Sequence, residues 1–252
     1  MNHVSRRRIL PREEARRLLS RRHRRRRSTG LALVAALASL AGMTDAIGFL
    51  WVGHFLSFMS GNTTQFAIAI GNGDAAGAVL LAGVLLSYVA GNACGIVVMW
   101  MLGRRQSVLL ALISGLLMLA ALWPGEERAG AAMLLAVVSM GLVNAAVERV
   151  EGHSFGITYV TGALSRFGRG AGRWMIGDRS GVSWTLELVP FAGMLAGATV
   201  GATLGLAHGR TAILMPAAFA GGLALVSLAI PQAWRRLYQA PVARVVRVRV
   251  SA

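Results

Sequence analysis

The chain has no lysine, a single cysteine and very little acid. Of its 252 residues only 10 are Asp or Glu, and charged residues of both signs make up 14%. An ordinary soluble domain carries about 25%. Cys94 stands alone in an apolar stretch, which excludes an intramolecular disulfide and a CxxC-type metal site. It reads as a small buried hydrophobe. The five histidines show no HxxxH or HExxH spacing, so no metal is expected. There is no GxSxG, no GxxxxGK[ST] and no paired nucleophile and base. Neither a catalytic residue nor a cofactor is expected, and the chain is not expected to be an enzyme.

What fills the space is apolar: hydrophobic residues make up 55% of the chain, and 31 glycines add to them. Crossing a hydrocarbon core of about 30 Å takes about 20 apolar residues. Six runs qualify: Leu31 to Val52, Gly77 to Leu102, Ser107 to Trp123, Gly130 to Val147, Leu186 to Ala207, and Thr211 to Ile230. Two shorter stretches, His54 to Gly71 and Ser154 to Gly168, carry too many hydroxyls and amides to match them. They are either two extra polar spans or bent, re-entrant elements. Irregular backbone at membrane depth survives only when buried in protein or lining a wet cavity.

All 26 basic residues are arginine. Twelve precede Gly30, five follow Pro231 and nine lie between. This clustering makes residues 1–29 an Arg-rich, disordered cytoplasmic tail that orients the first span and touches anionic headgroups. Residues 30–231 form the membrane domain and 232–252 a basic cytoplasmic C-terminal tail. Nucleic acid is the weaker reading of the net +16 charge. The opening Ser5-Arg6-Arg7-Arg8-Ile9-Leu10 is not an export signal, because Glu13, Glu14 and nine further arginines separate it from the first apolar run. With six spans and both termini cytoplasmic, the loop arginines divide seven inside to two outside. Eight spans would divide them five to four, so the bias of Arg toward cytoplasmic loops prefers six.

The chain also repeats itself. Gly42-Met43-Thr44-Asp45-Ala46 is answered by Gly141-Leu142-Val143-Asn144-Ala145, and Gly53-His54 by Gly152-His153, both at an offset of 99. Ser60-Gly61-Asn62-Thr63 is answered by Thr161-Gly162-Ala163-Leu164 at 101, and the GxxxG at 91–95 by that at 193–197 at 102. The halves run over residues 30–123 and 130–230. Each holds three spans and one short polar half-helix or re-entrant element. An odd number of crossings inverts the second copy, a plan shared by many transporters. The expected fold is therefore an all-α membrane protein of about six transmembrane helices in a three-plus-three inverted repeat. The GxxxG patterns argue for close packing within the fold or between protomers, leaving a homo-oligomer open.

Within that plan the candidate site is polar. Asp45 is the one acid well inside a predicted span, where a carboxylate costs about 2.5–3.5 kcal/mol unless sheltered. It is either an ion or solute site or a helix-to-helix hydrogen bond, and Asn144 is its counterpart. Ser60, Gly61, Asn62 and Thr63 form a Gly bend in apolar surroundings, matched by Thr161 and Gly162. Ser60 or Asn62 at a helix start would cap free N–H groups, or the helix end would face a solute. His54 and His153 read as solvated or hydrogen-bonded rather than metal-bound.

These residues carry a resemblance. Gly42-Met43-Thr44-Asp45-Ala46-Ile47-Gly48-Phe49, followed by Ser57-Phe58-Met59-Ser60-Gly61-Asn62-Thr63-Thr64, resembles the YoaK family of bacterial membrane proteins. Thr158-Tyr159-Val160-Thr161-Gly162 and Gly141-x-x-Asn144-Ala145 match its second-half pattern, with Val143 where that pattern has Gln. The resemblance covers about Gly30 to Ile230 and implies a six-span protein with no established substrate. The expected role is passage of a small solute or ion across the bacterial cytoplasmic membrane. A non-transporting scaffold, sensor or assembly factor is the alternative.

Overall fold

The computed structural model describes residues 12–124, 129–150, 153–154, 156–179 and 182–239. The outer parts of both tails and Arg128 lie outside the described residues. The helices are α1 (Arg12–Val52), α2 (Met59–Gly71), α3 (Ala75–Met101), α4 (Gln106–Leu122) and α5 (Ala129–Val143). A two-stranded antiparallel hairpin, β1 (Arg149–Val150) with β2 (His153–Ser154), precedes α6 (Val160–Met175). Then come α7 (Leu188–His208), α8 (Leu214–Ala229) and α9 (Gln232–Leu237), with 3₁₀ turns at Val182–Glu187 and Gly209–Ile213.

Among the described residues three helical stretches are long and apolar enough to cross a membrane: Ser20–Val52, Ala75–Met101 and Trp184–Leu228. Gln106–Leu122 and Ala129–Val143 are shorter but equally apolar. Val79, Leu86, Trp100, Met101, Leu206 and Leu225 stand more than two-thirds exposed on these helices. In water such a surface would aggregate, whereas in lipid it is the ordinary outer face of a bundle. The protein is multi-pass and all-helical apart from the hairpin. Cys94, expected to be buried, is exposed on this outer face, because α3 turns the Gly91 and Gly95 side to α5 instead.

The bundle is held by backbone-to-backbone contact along two crossings. On α7, Gly193, Gly197 and Gly201 lie against Ala35, Ser39 and Met43 of α1, so two four-residue ridges meet with no side chain between them. A Cβ at Gly42 would land on the Met194 carbonyl oxygen. Ser39 adds a hydrogen bond, its hydroxyl donating to the Gly193 carbonyl at 2.8 Å. At the second crossing, Gly91 of α3 meets Val138 of α5, Gly95 meets Leu142 and Ala145, and Gly141 meets Tyr88 and Asn92. α4 packs on α8, where the Ser114 hydroxyl donates to the Ala217 carbonyl at 2.7 Å.

Residues 12–29, expected as a disordered tail, are helical and continuous with the first span. Arginine is a good helix former, no proline follows Pro11 until Pro124, and the apolar span supplies the nucleus from which the helix extends. This basic end is tied down: the Tyr238 hydroxyl donates to the Arg26 carbonyl at 2.7 Å, and Gly30 packs under Val150 and Tyr238. The hairpin, the start of the C-terminal tail and the basic end of α1 thus share one end of the bundle. At the other end, Arg210 donates to the Ala121 and Trp123 carbonyls and lies 5.9 Å from the centre of the Trp51 ring.

Candidate functional site

α1 ends at Gly53, whose positive φ of 73° reverses the chain, a conformation open to glycine at little cost. The reversed segment runs back along α1 before starting α2. Asp45, 4% exposed, receives it. One carboxylate oxygen accepts from the Leu56 N–H at 2.8 Å and from the Ser57 N–H, and the other accepts from the Ser57 hydroxyl at 2.6 Å. Three donors saturate the inner side of the carboxylate, so a buried acid is sheltered rather than left facing lipid. Asn62, fully buried, pairs with the same connector: it accepts from the Phe55 N–H at 3.1 Å and donates to the Phe55 carbonyl at 2.6 Å. Asp45 and Asn62 therefore fix the α1–α2 connector between them.

The helix-cap expectation for Ser60 and Asn62 does not hold. α2 begins at Phe58 as N-cap with no side-chain cap, because Asn62 is spent on Phe55. Gly61 fits beneath the Phe58 and Phe55 rings, where a Cβ would collide. Thr63 is exposed and returns its hydroxyl to the Met59 carbonyl. His54 bonds Gln65 on the same short helix.

In the second half Asn144 does not touch its connector directly. Its amide donates to the Tyr88 hydroxyl of α3 at 2.8 Å, and that hydroxyl lies 2.8 Å from the Thr158 hydroxyl just before α6. The Asn144 amide oxygen is buried with no protein partner. α6 starts at Tyr159 without a side-chain cap, as α2 starts at Phe58.

Two cavities flank this chain of hydrogen bonds. One, of about 240 Å³, is lined by Ser57, Phe58 and Ser60 from the start of α2, by Tyr88, and by Thr158, Tyr159, Thr161 and Gly162 from the start of α6. No charged side chain is among its described lining residues. The other, of about 630 Å³, is lined by Asn92, Asn144, Glu148, His153, Tyr159, Arg166 and Glu187. Its wall contains an ion pair whose acid is buried and whose arginine reaches solvent. Glu187, 1% exposed, accepts both fork nitrogens of Arg166 at 2.7 and 2.9 Å and lies 2.9 Å from His153 Nε2. Among the described residues no group of three or more His, Cys, Asp or Glu could hold a metal.

Ser60, Thr161 and Gly162 thus share one cavity, Asn144 faces the other, and Asp45 and Asn62 stand behind the lining as its support. Tyr88, Arg166 and Glu187 were not anticipated as site residues. A phenol in the middle of an apolar run was the signal for Tyr88. An acid at the very edge of the fifth span was the signal for Glu187.

The comparisons with known proteins settle the family. The sequence pattern "Protein of unknown function (DUF1275)" matches residues 33–226. The chain belongs to this family. It is the YoaK family whose motifs the halves carry. Among its relatives is "UPF0700 transmembrane protein RA0705" of Rhizobium meliloti (strain 1021), 47% identical over 212 residues, covering 84% of this chain and 92% of that protein. No solved structure matches the chain. The matched segment holds every cavity-lining residue named above and both glycine crossings, so family membership extends to the site itself.

Proposed function

We propose that this DUF1275 protein is not an enzyme but a path for a small solute across the bacterial cytoplasmic membrane. It is built as a three-plus-three inverted repeat with both termini cytoplasmic. α1, α3 and α4 form the first half, and α5, α7 and α8 the second. α2, at 13 residues and about 20 Å, and α6, which carries Arg166, Arg169 and Arg173 along its 16 residues, serve as half-helices rather than crossings.

The packing partners support the two-fold relation, since each exchanges under it. α1 on α7 becomes α5 on α3, and α4 on α8 maps to itself. The contacts also refine the alignment of the halves. Gly42 meets Met194 and Ala198, and Gly141 meets Tyr88 and Asn92, an offset of 106 between α3 and α7. On this alignment the GxxxG at 91–95 answers 197–201, one helical turn beyond the 193–197 pairing read from sequence.

The observation that carries the proposal is the cavity of about 240 Å³ between the starts of α2 and α6. Two helix N-termini converge there with no side-chain caps and no acid in either first turn. Such ends carry partial positive charge and disfavour cations. With hydroxyls completing the wall, the fitting solute is small and rich in hydrogen-bond acceptors, either neutral or a monoanion. The basic tails then serve as contacts with anionic headgroups.

A flux screen in liposomes carrying the purified full chain tests this. Urea, glycerol, formate and nitrate represent the accepted class, and sodium and potassium the excluded one. At least one of the first group should cross faster than in empty liposomes, with neither cation doing so. Cation flux would overturn the acceptor reading. No flux in either group would leave the protein as a scaffold, sensor or assembly factor.

A further inference from the structure

We infer that the two cavities are successive compartments of one path, and that Tyr88 is the residue that divides them and selects what passes. This rests on the reading of the protein as a solute path. The geometry is that of a partition. Tyr159 belongs to the wall of both cavities. Tyr88 lines the smaller one, and its hydroxyl holds Asn144, which lines the larger one. The third member, Thr158, lies 2.8 Å beyond the same hydroxyl and lines the smaller cavity. This phenol therefore links a residue lining one compartment to a residue lining the other, beside the shared Tyr159.

The two halves close their connectors differently, and the difference makes the second one the part that opens. In the first half a buried carboxylate takes three hydrogen bonds directly from Leu56 and Ser57. In the second, the position of Asp45 is held by the neutral amide of Asn144, the position of Ser57 by Thr158, and Tyr88 bridges them with one hydrogen bond on each side. A neutral hydrogen bond contributes about half as much as one to a charged group. The α5–α6 connector is therefore released at lower cost than the α1–α2 connector. Release leaves each former partner with a substitute. The Tyr88 and Thr158 hydroxyls and the Asn144 amide can all bond an acceptor-rich solute, and the Asn144 carbonyl, already buried without a protein partner, can take a donor. The phenol is thus a specificity-determining contact as well as a barrier: a solute that cannot replace its hydrogen bonds does not displace it.

The test reads access rather than flux, so it needs no knowledge of the solute. In a Cys94→Ser background, Ser60→Cys reports the smaller cavity and His153→Cys the larger. A small, membrane-impermeant anionic thiosulfonate is applied to the tail side of the membrane, and labelling rates are compared for Tyr88, Tyr88→Phe and Tyr88→Ala. The Cys at 60 should label at least ten-fold faster with Tyr88→Ala and a few-fold faster with Tyr88→Phe, which keeps the ring and preserves folding. The Cys at 153 should label at one rate throughout. An unchanged rate at 60 in both variants, with the protein folded, would overturn the partition. This outcome differs from failure of the transport reading, which shows as absence of flux in liposomes whatever the labelling rate.

Discussion

Asp45 marks where residue-level chemistry is firmest. Its carboxylate takes two backbone N–H groups and one hydroxyl from the connector it faces. Asp45→Asn keeps an acceptor oxygen for the two N–H groups and should lose little stability. Asp45→Leu leaves two buried N–H groups unpaired, at about 1–3 kcal/mol. Thermal melts in detergent distinguish the two, and equal stability would remove Asp45 from its anchoring role. The Arg166–Glu187 pair calls for an asymmetric response. Glu187→Gln leaves Arg166, whose side chain is 40% exposed, free to find water, and should cost less than about 1 kcal/mol. Arg166→Met strands a buried carboxylate with His153 alone. The cost should be about 1–3 kcal/mol, below the 3–5 kcal/mol of a fully buried pair because solvent reaches Arg166. A reversed order of the two melting shifts would contradict this assignment.

These residues also show how legible the site was. Asp45, Ser60, Asn144, Thr161 and Gly162 stand out in the sequence because they sit in matching motifs at offsets that can be counted in one dimension. Tyr88 and Glu187 acquire their roles from partners 56 and 21 positions away on other helices. Nothing local records such a pairing, since it arises only when α3 docks on α5 and α6 on the turn before α7. Asn62 fails as a cap for the same reason: its carbonyl and amide find the Phe55 backbone, which the chain reversal at Gly53 brings close.

At the scale of the helix, small residues do the work that burial of large side chains does in water. Lipid is as apolar as leucine, so helices associate through close van der Waals contact and a few hydrogen bonds. Gly42, Gly197 and Gly201 each touch opposing backbone, while Gly115 and Gly222 have open space where a Cβ would sit. Gly197→Ala should therefore force α1 and α7 apart, at about 1–3 kcal/mol. Gly115→Ala should be neutral or stabilising by about 0.5–1 kcal/mol through helix propensity. Melting temperatures of the two variants check this, and similar shifts would show that the crossing is looser than the contacts imply. The six long helices were readable as apolar runs with ends near the observed ones. The helical state of residues 12–29 was not, because charge density argues for disorder only when nothing nucleates the helix. Here the apolar span provides that nucleus.

For the whole molecule, the arginines and the proposed two-fold relation of the halves bear on the same question. Seven loop arginines fall on the side of the tails and two on the other if α2 and α6 turn back without crossing. The exchange of α1 on α7 with α5 on α3 is compatible with the three crossings per half proposed above. If α2 and α6 both crossed, everything from α3 to α5 would reverse its direction through the membrane, and the arginine division would fall to five against four. Reporters fused after Gly73 and after Gly125 should consequently appear outside the cytoplasm, and those after Arg105 and Arg173 inside. The position after Gly73 decides the matter, because it follows α2 directly and precedes any other element. A cytoplasmic signal there would mean that α2 crosses, that the halves are not inverted, and that the starts of α2 and α6 cannot meet as two opposed half-helices.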